Sequence, residues 1–199
     1  APMPCGMGAF FYLGDPLISP LETRMMTCRS RLLCLLAPCW VLAAGGMLPL
    51  GAWAQFDKQA WPAKLATPAL DVVDIQGRRW TSSQLQGKAV VLNFWATWCA
   101  PCKEELPSLQ ALHEAGDGVV VIGINVKEPL ARVSAFVNHA QLSLPVVLDE
   151  RGELARQWGV RIYPSTVLIA PDGRARWRVV GDLDWNGPQA REWLSALRR

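Results

Sequence analysis

The stretch Val90-Val91-Leu92-Asn93-Phe94-Trp95-Ala96-Thr97-Trp98-Cys99-Ala100-Pro101-Cys102 constrains this chain more than any other. An apolar run ends in Trp-Cys-x-x-Cys, and a helical pattern follows from Lys103. That order delivers two cysteines from the end of a strand onto the first turn of a helix. Cysteines three apart at a helix start have Cα atoms roughly 5–6 Å apart, a separation that a disulfide bridges without backbone movement. The free N–H groups and partial positive charge of the helix N-terminus favour a thiolate at Cys99. The thiolate is the nucleophilic form of cysteine. Cys102, one turn further in, is expected to be the more buried sulfur and to attack second. Pro101 suits a helix start, where its fixed φ fits and its missing N–H has no partner to lose.

The other cysteines sharpen this reading. Of the six in the chain, Cys5, Cys28, Cys34 and Cys39 lie before the cleavage point expected of an export signal. Arg24, Arg29 and Arg31 lead into an uncharged stretch from Leu32 to Phe56, which contains Ala52-Trp53-Ala54. A basic region, an apolar region and an A-x-A site describe a secretory signal peptide, with cleavage expected after Ala54. Met25 or Met26 is the expected start, which would make residues 1–24 an over-extended reading frame. The alternative is an uncleaved membrane anchor, since Leu32–Ala54 is long enough to span a bilayer; Pro38, Gly45, Gly46 and Pro49 weaken that span. Cleavage would leave Cys99 and Cys102 as the only thiols of an exported chain. A staple closing so short a loop constrains an unfolded chain little, so the pair reads as reactive rather than structural. A net charge of +3 over 199 residues argues against a nucleic-acid surface.

The remainder divides into a linker, 55–68, and a domain, 69–199. Ala69–Ile75 and Arg78–Thr81 read as a hairpin around Gln76-Gly77. Ala89–Trp95 is a strand covered on both faces. A helix follows to Ala115, kinked or restarted at Pro107 and ended by Gly116 and Gly118. Val119–Val126 is a second buried strand and Leu130–Ala140 a second helix. Short elements at 144–148 and 153–158 precede strands Ser165–Ile169 and Ala175–Val180, joined by Pro171-Asp172-Gly173. Gly187–Leu197 closes the chain as a helix. The order predicts an α/β fold, a central mixed sheet with helices on both faces and an N-terminal β-hairpin extension. Glu104 and Glu105 read as a solvated helix face. His113 and His139 have no matched partners and are expected to be structural or exposed.

Four stretches together resemble the thioredoxin superfamily, specifically its exported TlpA/ResA-like branch, from about Pro68 to the C-terminus. They are Val91 through Cys102; Lys103-Glu104-Glu105-Leu106-Pro107; Asn125-Val126-Lys127-Glu128; and Tyr163-Pro164-Ser165-Thr166-Val167-Leu168-Ile169 ahead of Asp172-Gly173. The resemblance implies a thioredoxin-like fold and a thiol–disulfide oxidoreductase. Cys99 would be the exposed nucleophile and Cys102 the resolving thiol. Pro164 would be a cis-proline facing them, leaving the backbone of Tyr163 free to pair with an extended client segment. Asn93 stands where cytosolic thioredoxin has a buried Asp, and it cannot titrate. Glu128 is then the candidate acid, buried near the pair and exchanging a proton with Cys102. Trp95, Trp98, Ala100 and Pro101 would support and shield the site.

The implied partners are cysteine-bearing clients, such as apocytochromes c or copper-site proteins, and a membrane protein that passes electrons outward. The expected location is periplasmic or otherwise extracytoplasmic, with membrane contact only if the N-terminal segment stays attached. No cofactor beyond the Cys99–Cys102 disulfide is implied, and no metal. Two alternatives remain open at this point. One is an oxidase that inserts disulfides with the same fold; the other is a module that binds copper(I) through the two sulfurs.

Overall fold

The computed structural model describes residues 56–199. The expectations for the leader, its cleavage after Ala54 and the anchor alternative therefore lie outside the described residues. The elements run in order β1 (Phe56–Ala60), β2 (Asp71–Val73), β3 (Arg79–Thr81), β4 (Ala89–Trp95), α1 (Ala100–Ala115), β5 (Val119–Val126), α2 (Leu130–His139), β6 (Val146–Asp149), α3 (Glu153–Gln157), β7 (Ser165–Ile169), β8 (Ala175–Gly181) and α4 (Pro188–Leu197). Among these, no helix is long and apolar enough to cross a membrane.

Six strands form one mixed sheet in the order β1-β8-β7-β4-β5-β6. β4 pairs in parallel with β5 and antiparallel with β7, so the strand carrying the cysteine motif sits in the interior of the sheet. All seven of its residues are buried. Alternate residues feed opposite layers. Val91 and Trp95 join Leu106 and Leu109 of α1, Val133 and Val137 of α2, and Trp193 and Leu194 of α4. Val90, Leu92 and Phe94 join Leu70, Val72, Trp80 and Leu85 of the hairpin region and Trp158 beyond α3. Three helices thus cover one face. The β2–β3 hairpin, with α3, covers the other.

The hairpin is held by one carboxylate. Asp74 accepts backbone N–H bonds from Gln76 and Arg78 and the indole N–H of Trp80 at 2.8 Å. Ile75 N–H then donates to Val146 O at 2.8 Å, docking the hairpin onto β6.

Two expectations change. Residues 56–60 are not linker. They form β1, paired along β8 from Phe56↔Gly181 to Ala60↔Trp177. The strand holds by side chains as well as by its ladder. Phe56 meets Trp193 edge-on, with ring centroids 5.7 Å apart, and Lys58 Nζ lies 4.3 Å from the ring centroids of both Trp177 and Trp193. Such cation–π contacts can fix a polar segment that carries no hydrophobic run. The second change is in α1, which continues through Pro107 as one helix. The missing N–H removes a single intrahelical bond, and the buried Leu106 and Leu109 on either side hold the helix to the sheet.

Candidate active site

Cys99 is the N-cap of α1. Its φ and ψ of −85° and 108° are extended, and its Sγ accepts the backbone N–H of Cys102 at 3.3 Å. No acidic residue occupies the first turn. The two cysteines form a disulfide with Cα atoms 5.3 Å apart. Cys99 is 5% exposed and Cys102 1%. The pair therefore ranks as expected, although in the disulfide form even the outer sulfur is largely covered. Ala100 beside it is exposed. Trp95 is fully buried in the same cluster as both cysteines. Trp98 is 61% exposed and meets Tyr163 edge-on at 6.1 Å.

That contact brings the second loop to the motif. The Tyr163–Pro164 peptide is cis. Phe94 pairs with Ser165 across β4 and β7, which sets Pro164 beside the end of the strand that delivers the cysteines. Ser165 Oγ donates to Ile162 O at 2.8 Å, and Gly181 N–H donates to Pro164 O at 3.0 Å, so the turn is held from both sides. Burial, and then the nearby Asp149 charge, pushes the Tyr163 phenol above its usual value.

Glu128 is 2% exposed, so a solvated loop position is excluded. Lys127, at φ 60°, takes a left-handed conformation unusual for a side chain larger than Gly, and the chain turns there as it leaves β5. The Glu128 carboxylate accepts the backbone N–H and hydroxyl of Thr97, each at 2.6 Å, and the Asn125 amide at 2.8 Å. Arg132 lies 3.8 Å away. Glu128 thus grips the residue two before Cys99.

Glu105 is the correction. Glu104 is exposed as expected, but Glu105 is 3% exposed and faces inward with Cys102, Leu106 and Leu109. Its Oε1 accepts the indole N–H of Trp185 at 2.6 Å and the backbone N–H of Leu183 at 3.4 Å. Its Oε2 accepts Asn93 Nδ2–H at 3.0 Å. Burial pushes its carboxyl up to about 7. The hydrogen bonds from Trp185, Asn93 and Leu183 oppose the rise, and the Asp182 charge adds to it. A signal for it stands in the sequence. Cys102, Glu105, Leu106 and Leu109 follow the i, i+3, i+4, i+7 spacing of one helix face.

Asn93 is 1% exposed and joins Glu105 to Thr166 Oγ1, to which it donates at 2.9 Å. His139 is exposed and His113 half-buried, where burial lowers its pKa. Neither belongs to a metal-holding cluster among the described residues.

Residues 63–178 match the AhpC/TSA family. The thiol-disulfide oxidoreductase ResA of Geobacillus thermodenitrificans is 32% identical over 135 residues, covering 66% of this chain and 78% of that protein. Among solved structures, StoA from Bacillus subtilis is 27% identical with a TM-score of 0.57, covering 64% of this chain and 96% of that one. The exposed lipoprotein thioredoxin Etrx1 of Streptococcus pneumoniae is 26% identical with a TM-score of 0.59, covering 65% and 99%. The fold, the paired cysteines at the head of α1 and these likenesses agree: the chain belongs to the AhpC/TSA family, as a ResA-like thiol-disulfide oxidoreductase.

Proposed function

We propose that the chain works as a reductant of client disulfides outside the cytoplasm, with Cys99 and Cys102 supplying the electrons and Glu105 handling the proton. The observation that carries this reading is a buried carboxyl, held near neutral pKa, one helical turn beyond Cys102 on the same inward face. A group poised near the working pH is suited to proton transfer in either direction.

In the reductive direction the dithiol starts reduced. The Cys99 thiolate attacks one client sulfur; the client S–S bond breaks and a mixed disulfide forms. The first client thiolate leaves and takes a proton from solvent. Cys102 gives its proton to the Glu105 carboxylate, and its sulfur attacks Cys99 Sγ. The mixed disulfide breaks, the second client thiolate leaves, and the Cys99–Cys102 bond seen here forms. Two electrons pass to the client. A membrane thiol donor must then return two electrons and release the cycle for another round.

Glu128 supports Cys99 through Thr97, fixing the loop from which the sulfur emerges. Trp98, Tyr163 and Pro164 form the apolar wall against which a client segment lies, Ala100 and Pro101 flank the sulfurs, and Trp95 supports the motif from within the core. The export-signal pattern, and a relative described as an exposed lipoprotein, favour an extracytoplasmic location. Clients that need reduced cysteines there include apocytochromes c and copper-site proteins.

The reduction potential of the Cys99–Cys102 pair tests the direction. A value at or below about −220 mV supports a reductant, whereas one near about −120 mV makes the chain a disulfide donor. Cys102→Ser should trap mixed disulfides with clients and Cys99→Ser should abolish reduction; no trapped species from Cys102→Ser would count against this order of attack. A pH–rate profile moved by Glu128→Gln but not by Glu105→Gln would reassign the proton to Glu128.

A further inference from the structure

Glu105 presents its two oxygens to unlike partners. Oε1 accepts from Trp185 Nε1–H and Leu183 N–H. Both are fixed donors: an indole N–H and a backbone N–H have no acceptor to offer in exchange. A proton cannot enter on that side without setting one donor against another. Oε2 faces Asn93 Nδ2 alone.

Asn93 is built differently from the donors on the other side. Its Nδ2 donates to Glu105 Oε2 and to Thr166 Oγ1, while its Oδ1 is buried and has no hydrogen-bond partner. A buried carbonyl oxygen without a donor is uncommon and calls for an explanation. A half-turn about the Cβ–Cγ bond exchanges the two ends of the amide. Oδ1 then takes the place of Nδ2, within hydrogen-bond reach of both Glu105 Oε2 and Thr166 Oγ1. A protonated Oε2 can donate to it, and so can the Thr166 hydroxyl, which serves as donor or acceptor. The orphan oxygen in this structure is the acceptor that a neutral Glu105 would need.

We propose that Asn93 is the positioning residue that admits a proton to Glu105, its side-chain amide donating to the carboxylate and turning to accept from the carboxyl. The inference rests on Glu105 as the proton carrier of the preceding section. It adds the reason Asn rather than a fixed donor stands at this place on β4. The proton arriving from Cys102 settles on Oε2, the amide turns, and departure of the proton turns it back; no covalent bond other than S–H and O–H changes in this step. The other titratable neighbours are few. On α1 these are Cys102, one turn earlier, and the exposed Glu104; beyond β8 Asp182 acts on Glu105 by its charge. Thr166 on β7 and Trp185 carry no charge.

The test is side-chain amide NMR on the whole chain, with the Glu105 carboxyl carbon followed in the same samples. At pH values above the Glu105 midpoint of about 7, the Asn93 amide protons should show cross-peaks to Thr166. Below it those cross-peaks should fade, with the same midpoint as the carboxyl carbon. In Glu105→Gln, whose amide can face Asn93 with an N–H, the Asn93 pattern should be independent of pH. If the carboxyl titrates and the Asn93 cross-peaks do not change, Asn93 is a fixed donor and the proposal fails while the proton role of Glu105 stands. If the carboxyl does not titrate, there is no proton to admit, and both fail together.

Discussion

Replacing Glu105 by Gln should change how stability depends on pH, and the sign is fixed by the structure. In the folded, disulfide-bonded chain burial lifts the Glu105 carboxyl from the ordinary glutamate value of 4.5 to about 7. Between those values the folded state holds a proton that the unfolded state has released. Stability must therefore fall as pH rises through this window. Each pH unit of separation corresponds to about 1.4 kcal/mol, so the full effect is about 3 kcal/mol. It is complete above the folded midpoint, where the native state must hold a buried carboxylate against Trp185, Asn93 and Leu183. Glu105→Gln keeps the shape and removes the titration. Urea unfolding of both proteins in the disulfide form, across a pH series, isolates this contribution because every other titrating group is common to the two. The difference, wild type minus variant, should decline by about 3 kcal/mol as pH rises through the window and then level off. A flat difference curve refutes the reasoning, and one that climbs with pH would mean that the three donors outweigh burial.

Glu128→Ala should cost about 3 kcal/mol in chemical denaturation, because Thr97 and Asn125 lose their acceptor inside the protein; Glu128→Gln, which keeps one acceptor oxygen, should lose less than half as much, and equal losses would contradict this. Trp98→Ala should leave stability within about 0.5 kcal/mol, as expected for an exposed side chain. It should raise KM for a protein client while sparing turnover of a small disulfide; an unchanged KM would remove Trp98 from the client surface. Trp193→Ala should cost about 3–5 kcal/mol and strip hydrogen-exchange protection from β1 ahead of the rest of the sheet, since Phe56 and Lys58 both rest on that ring. Protection of β1 that falls only with global unfolding would show that its backbone ladder suffices.

What the sequence discloses, it discloses through contiguous patterns. Val90–Trp95 is apolar except for Asn93 because the strand is covered on both faces, and the Cys99–Cys102 spacing is local to one helical turn. Glu105 eluded the reading for the opposite reason. Beside Glu104 it looks like half of a charged surface pair, and the groups that receive it, Asn93, Leu183 and Trp185, come from distant parts of the chain. Only the helical register with Cys102 and Leu106 points to it. β1 carries no such register. Phe56-Asp57-Lys58-Gln59-Ala60 has one apolar residue of any size, and its place in the sheet depends on β8 and on two tryptophans far along the chain.

The sheet ends differently on its two sides. β1 lies along β8, and the hairpin leans on β6 through Asp74 and Ile75. The outermost strand on the β8 side is short and polar, with Asp57, Lys58 and Gln59 in succession. Unpaired strand margins invite intermolecular pairing, and a short charged border discourages it. A thiol-disulfide oxidoreductase meets the backbone of its cysteine-containing clients at every encounter. A short, polar border strand gives a client's backbone little to pair with, which leaves the Cys99 sulfur, rather than the sheet, as the point of engagement.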